Sequence, residues 1–174
     1  MNDALADMPL ASASPQQHLV ALLDSHQPSS LLMISMNPAP AIESWCNEHD
    51  STFTAIAELD PFPALADTAR FDLVIIADQL EYMTHEQGEA LLGLVRNLHS
   101  DAMLVLYQST LAPQKLRWNL SEFFGMGLRR DAVFRDGARE MMLFSYELAS
   151  YNFVRSWNNP RFWANPENWG KYWW

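Results

Sequence analysis

Phe71-Asp72-Leu73-Val74-Ile75-Ile76-Ala77-Asp78-Gln79-Leu80-Glu81-Tyr82-Met83 carries the decision about the fold. Its first half is an almost unbroken apolar run of strand length, the pattern of a strand covered on both faces, and its second half turns polar as a loop does. Downstream, Thr84 and Gln87 have capping-box spacing and predict a helix lined by Leu91, Leu94, Val95 and Leu98. Residues 102–107 follow as another strand. Pro113 then opens a predicted helix with Leu116, Leu120, Phe123 and Phe124 on its buried side, stopped by Gly125 and Gly127. Residues 128–135 and 139–148 flank Asp136-Gly137, a short-range hairpin signal.

Upstream, Leu31-Leu32-Met33-Ile34 inside residues 30–36 is a second buried apolar run. It leads into the turn Asn37-Pro38-Ala39-Pro40. Ile42, Trp45, Cys46 and His49 then recur at helical spacing, crossing back to a strand over 52–59 and completing a βαβ unit. Asp60-Pro61-Phe62-Pro63 reads as loop, and the short span to Phe71 has no room for a full crossover helix plus a strand. Ahead of everything, Ser14-Pro15-Gln16-Gln17 combines a capping box with proline at the first helical position, where its missing N–H is not needed, and Leu19, Leu22 and Leu23 give that helix its apolar side. The expected organisation is a flexible arm over 1–13, an α/β domain over 14–150 and a tryptophan-rich tail over 151–174. Its architecture is a reduced Rossmann-like three-layer sandwich, a mostly parallel sheet with a C-terminal antiparallel hairpin.

Composition narrows the partners. The chain has 174 residues, 49% of them hydrophobic, enough for one domain with a substantial core. Its net charge of -10 repels nucleic acid and anionic membrane surfaces. No apolar run reaches the length of a membrane span and the first residues lack a basic export signal, so neither a membrane nor export is expected. Cys46, the single cysteine, has no partner for a disulfide and suits a reducing cytoplasm. His18, His26, His49, His85 and His99 are scattered singly, which gives no metal site. Hydrolase elbows, Walker loops and zincin helices are absent. The nine methionines, with Met141-Met142 among them, read as core filling.

The order of elements resembles the class I S-adenosylmethionine-dependent methyltransferase fold over residues 15–148. The phrase from Phe71 to Met83 is similar to that family's fourth strand and the loop carrying its Leu-Glu-His element. The terminal hairpin after Gly125-Met126-Gly127-Leu128 stands where the family puts its last two strands. The departures fall where the cofactor would sit. A glycine-rich loop normally follows the first strand to let backbone approach the ligand, and this chain has Met36-Asn37-Pro38-Ala39-Pro40 there, its first glycine being Gly88. The strand over 102–107 follows His99-Ser100-Asp101 in place of a glycine-rich lead-in. By resemblance, an acid ending the second strand holds the ribose; Glu58 or Asp60 takes that place if 52–59 is the second strand, and neither does if it is the third.

Ligands of open α/β sheets lie beyond the carboxyl ends of the strands, which gathers Asn37, Glu58, Asp60, Asp78, Glu81, Tyr82, His85 and Gln108 as candidates. Clustered acids that lose water acquire raised pKa values, the condition for acid or base work. The plainer alternative is that loop-end acids are solvated and that Glu86 and Glu89 merely favour a helix N-terminus. Asp72, at the opposite end of its strand, reads as structural. The expected function is a methyltransferase-like domain without catalysis or cofactor, acting as a binding or assembly module. The alternative is a small divergent S-adenosylmethionine-dependent methyltransferase. In it Glu58 or Asp60 holds ribose, Asp78 lies near the adenine, Asn37 belongs to the cofactor loop, and Glu81 and Tyr82 face the methyl acceptor, with His85 a further catalytic candidate.

Five of the seven tryptophans, Trp157, Trp163, Trp169, Trp173 and Trp174, fall in the last segment. Asn159-Pro160-Arg161-Phe162-Trp163 and Asn165-Pro166-Glu167-Asn168-Trp169 repeat a pattern in which Asn caps and Pro starts a helical turn that presents a ring. Burying one such ring contributes on the order of 2–3 kcal/mol, so this ending is expected to pack on the domain, on a second copy, or on a protein partner. The tail also resembles the endings of small uncharacterised bacterial proteins, a likeness that implies no activity.

Overall fold

The computed structural model describes residues 14–151, so the arm over 1–13 and the tryptophans from Trp157 onward lie outside the described residues. Six strands form one sheet: β1 (Ser30–Ile34), β2 (Thr52–Ile56), β3 (Phe71–Ile76), β4 (Ser100–Tyr107), β5 (Arg129–Asp136) and β6 (Arg139–Glu147). Their spatial order is β2-β1-β3-β4-β6-β5. The first four run parallel, and β6 pairs antiparallel with both β4 and β5. Because β2 pairs directly with β1, from Ser30 opposite Thr52 to Ile34 opposite Ile56, it occupies the place of a second strand. The chain leaves β1 toward β2 and then returns across it to β3, so the order reverses between β1 and β3.

Alternation along the strands sorts the core into two layers. Leu31 and Met33, with Leu73, Ile75, Leu104, Leu106 and Leu143, pack against Leu19 and Leu23 of α1 (Pro15–His26) and Ile42, Trp45 and Cys46 of α2 (Pro40–Glu48). Leu32 and Ile34, with Val74, Ile76, Met103, Val105 and Phe144, face the other way, toward α3 (Phe62–Ala66), α4 (His85–Leu94) and α5 (Leu120–Gly125). This is the three-layer arrangement that the unbroken apolar runs predict, since both faces of a central parallel strand are covered. A buried leucine contributes about 1.5–3 kcal/mol, so these two layers dominate the stability. Cys46 is buried and free, and burial pushes its thiol above the ordinary range.

Both predicted capping boxes form. Ser14 Oγ accepts from Gln17 N while Gln17 Oε1 accepts from Ser14 N, and Thr84 and Gln87 repeat the exchange. Three local readings are corrected. Phe62 and Pro63, taken as loop, belong to α3, because a proline in the first helical turn forfeits no hydrogen bond and Asp60 Oδ1 accepts from Phe62 N. Leu98 does not line its helix; it is 62% exposed, because a π-helical turn over Val95–His99 widens the spiral and brings His99 inward instead. The helix expected from Pro113 is two pieces, a 3₁₀ turn over Gln114–Leu116 and then α5, with Phe124 exposed. Trp118 is buried between them with its backbone N–H donating to Tyr107 Oη, and Asn119 restarts the helix with its own backbone N–H on Glu122 Oε2. At the hairpin the loop residues are Gly137 and Ala138, with Gly137 at φ 58°, the backbone that glycine tolerates at the first position of a tight turn.

Candidate functional site

Parallel strands β1, β3 and β4 deliver their carboxyl ends to one place, and the loops there are joined to one another. Ser35, just past β1, is buried; its N–H donates to Ile56 O, and its Oγ accepts from Asn37 N at 3.1 Å and donates to Asp78 Oδ2 at 3.3 Å. Asn37 Nδ2 donates to the same Asp78 Oδ2 at 2.9 Å. Asp78 adopts φ 53°, a left-handed backbone that Asp tolerates better than most residues. The loop after β1 is thereby latched onto the loop after β3.

Beside this latch lies a cavity of about 160 Å³, with Pro15 and Leu19 of α1, Met33, Ile42, Leu106 and Met141 as its apolar walls. Its polar lining includes Ser35, Asn37, Asp78, Glu81 and Gln108, with no lysine, arginine or histidine among the described residues. Glu81 is the most constrained of these. It is only 1% exposed, its Oε1 accepts from Gln108 N at 2.7 Å, and its Oε2 is buried without a hydrogen-bond partner. Burial pushes its pKa up from 4.5 to about 7, opposed by the backbone amides of Gln108, Glu81 and Gln79 and reinforced by the nearby Asp78 charge. The neighbouring Leu80 and Met83 are buried in the α4-side core, and this anchoring explains why a polar loop residue between them is drawn inside.

The structure therefore gathers Asn37, Asp78, Glu81 and Gln108 and leaves the other sequence candidates elsewhere. Glu58 and Asp60 are exposed beyond β2 and do not line the cavity; Glu58 contributes its carbonyl oxygen to the buried Gln79 side chain at 3.0 Å. Tyr82 is exposed. His85 sits in the packing between α4 and α5, stacked on Trp118 with ring centroids 5.4 Å apart and with Nδ1 2.5 Å from Glu122 Oε1. Ser35, Leu19 and Met141 were not singled out as site residues. A serine closing an apolar strand was the available signal for the first, but only tertiary packing brings the other two. Asp72 accepts from Ser29 N and Ser30 N, joining two strand beginnings at the far end of the sheet. Among the described residues no group of three metal-ligating side chains forms, and no helix is long and apolar enough to cross a membrane.

Comparison with solved structures supports the fold. The chain is similar to magnesium protoporphyrin IX methyltransferase from Synechocystis PCC 6803, solved with bound SAM, at a TM-score of 0.52 and 12% identity over 75% of this chain and 76% of that one. It also matches an rRNA methylase from Escherichia coli, at a TM-score of 0.43 and 18% identity over 74% of this chain and 61% of the other. An O-methyltransferase family protein from Burkholderia thailandensis matches at a TM-score of 0.43 and 12% identity over 76% of this chain and 56% of the other. The chain thus spans well under two thirds of the Burkholderia protein and somewhat under two thirds of the Escherichia coli one. No curated protein matches it in sequence. Its fold is that of the class I S-adenosylmethionine-dependent methyltransferases, in a reduced form. Residues 13–174, which include the tryptophan-rich ending, match a family of unknown function, DUF6231, and the chain belongs to that family.

Proposed function

We propose that this methyltransferase-like domain does not transfer methyl groups and works as a binding or assembly module, with its tryptophan-rich ending as a packing or partner surface. The observation that carries the proposal is the bond from Asn37 Nδ2 to Asp78 Oδ2. It folds the first loop down where a nucleoside-bearing methyl donor would need open backbone, and Pro38 and Pro40 in that loop have no N–H to offer. The cavity left, about 160 Å³, is smaller than the roughly 300–1,000 Å³ of small-molecule and cofactor sites. Glu58 and Asp60, the acids by which ribose would be held, stand outside it. These residues do not fit S-adenosylmethionine, and no step of methyl transfer is assigned. The net charge of -10 directs the search for partners toward basic protein surfaces or cations, and a second copy of the chain would be held by the tail against that charge. The buried free Cys46 suits a cytoplasmic setting.

One observation favours the alternative, a small divergent methyltransferase: Glu81 has a pKa of about 7, suited to exchanging a proton near neutrality. Thermal melting with S-adenosylmethionine or S-adenosylhomocysteine separates the two. A ligand of the folded state at a hundred times its Kd stabilises by about 2.7 kcal/mol, an easily measured shift. The expected result is no shift with either compound at millimolar concentration; a clear shift would overturn the proposal in favour of the enzyme.

A further inference from the structure

Glu81 presents an unusual combination inside the cavity: a buried carboxyl with one oxygen held by a backbone amide and the other without a partner. A buried polar atom left unpaired costs on the order of 1–3 kcal/mol, so a group that donates to Oε2 would recover that loss on binding. The surroundings restrict the donor's chemistry. A second carboxyl, Asp78, lines the same cavity, and among the described residues no basic side chain does. An anion would meet two acids, whereas a cation would meet complementary charge. The walls opposite are aliphatic and thioether groups, Leu19, Met33, Ile42, Leu106 and Met141, which accept an unbranched hydrocarbon chain. A volume of about 160 Å³ is below the roughly 300–1,000 Å³ of drug-sized ligand sites, which limits the chain to a short one.

Building on the binding-module reading, we infer that the cavity at the carboxyl ends of β1, β3 and β4 is a site for a short primary alkylammonium, its N–H donors on Glu81 Oε2 and its chain among Leu19, Met33 and Met141. A bound cation favours the ionised carboxylate, so binding expels the proton that Glu81 carries below about pH 7. The titratable neighbours of Glu81 are Asp78 on its own loop, whose charge acts against its ionisation, and Tyr107 on β4, a phenol whose raised pKa keeps it neutral across this range. Affinity for the cation therefore rises from pH 6 to pH 8.

The test is an amide NMR titration of the full chain with n-butylammonium chloride, 1-butanol and sodium butyrate, alongside the variant Glu81→Gln. The Gln108 amide, bonded to Glu81, is the local reporter. Glutamine keeps an acceptor for that amide, and the rest of the spectrum reports whether the variant is folded. The expected result is that n-butylammonium moves the Gln108 resonance and binds about ten times more tightly than 1-butanol or butyrate, a preference that grows toward pH 8 and disappears in Glu81→Gln. Equal or tighter binding of 1-butanol or butyrate, silence with all three compounds, or an unchanged preference in the variant would overturn it. S-adenosylmethionine added to the same sample keeps the two proposals apart. Its binding would defeat the non-enzymatic reading, whereas failure of the amine with no effect of S-adenosylmethionine would defeat the alkylammonium site alone.

Discussion

Trp118 lies flat enough against α4 that a β-carbon at Gly88 would overlap its Cζ2 atom, with Leu80 Cδ2 a further 3.2 Å neighbour of that position. Gly88, the first glycine of the chain, thus serves side-chain packing rather than approach to a ligand. Gly93, on the same helix, has nothing within 4 Å of an added β-carbon. The two positions are expected to respond oppositely to alanine. Gly93→Ala gains up to about 1 kcal/mol of stability from helix propensity, while Gly88→Ala loses about 1–3 kcal/mol through overpacking. Urea denaturation measures both, and a smaller side chain at Trp118 should relieve part of the Gly88→Ala loss in a double-mutant cycle.

Asp78 combines a left-handed backbone with bonds to Ser35 and Asn37. Asp78→Ala removes the latch and leaves an unsuited residue at φ 53°, whereas Asp78→Gly removes only the latch. The alanine variant is expected to be less stable than the glycine variant by about 1 kcal/mol, the difference being the left-handed strain. Equal denaturation midpoints would show that the backbone at this position carries no strain.

The raised pKa of Glu81 makes stability depend on pH in a definite direction. In the unfolded chain the carboxyl titrates near 4.5, and in the folded chain at about 7, so between those values the folded state holds the extra proton. The contribution is fully present below about pH 4.5 and is lost as pH rises through 7, amounting to about 3 kcal/mol for this buried group. Glu81→Gln has no such titration. From pH 5 to pH 8 the wild type is expected to lose stability relative to the variant, measured by parallel urea titrations, and a constant difference would contradict the burial of an ionisable carboxyl.

Removal of residues 157–174 takes away five tryptophans. If their rings pack on the domain or on a second copy, the truncated chain exposes a large apolar surface and is expected to unfold or precipitate. Light scattering and circular dichroism check this. A truncated chain that stays folded, with unchanged mass and binding, would remove the tail from the proposed module.

The central strand and both capping boxes were legible because local chemistry and tertiary packing agree there: Leu73 to Ile76 are buried on both faces, and Ser14 and Thr84 bond within their own turns. Legibility failed where a distant residue decides. Leu98 follows helical periodicity until the π turn changes the phase, and the helix from Pro113 divides around Trp118, whose partner Tyr107 lies on β4. At the site, spacing along the chain could nominate Asn37, Asp78 and Glu81 as loop-end residues. It could not separate Glu81, drawn inside between Leu80 and Met83, from its exposed neighbour Tyr82. Glu58 and Asp60 were nominated on the same grounds, and nothing local distinguished loops that converge on the cavity from one that points away.

The register shift between Arg130 and Ala132 places a bulge at Asp131 on β5, an outer strand of the sheet. With Arg129, Arg130 and Arg135 along it, that margin is poorly shaped and too charged to template another chain. The opposite margin is β2, Thr52-Phe53-Thr54-Ala55-Ile56, which has neither charge nor proline. When this fold is weakened, fibril-like polymerisation should begin on the β2 flank, and a lysine at an outward position such as Ala55 is the change to make against it.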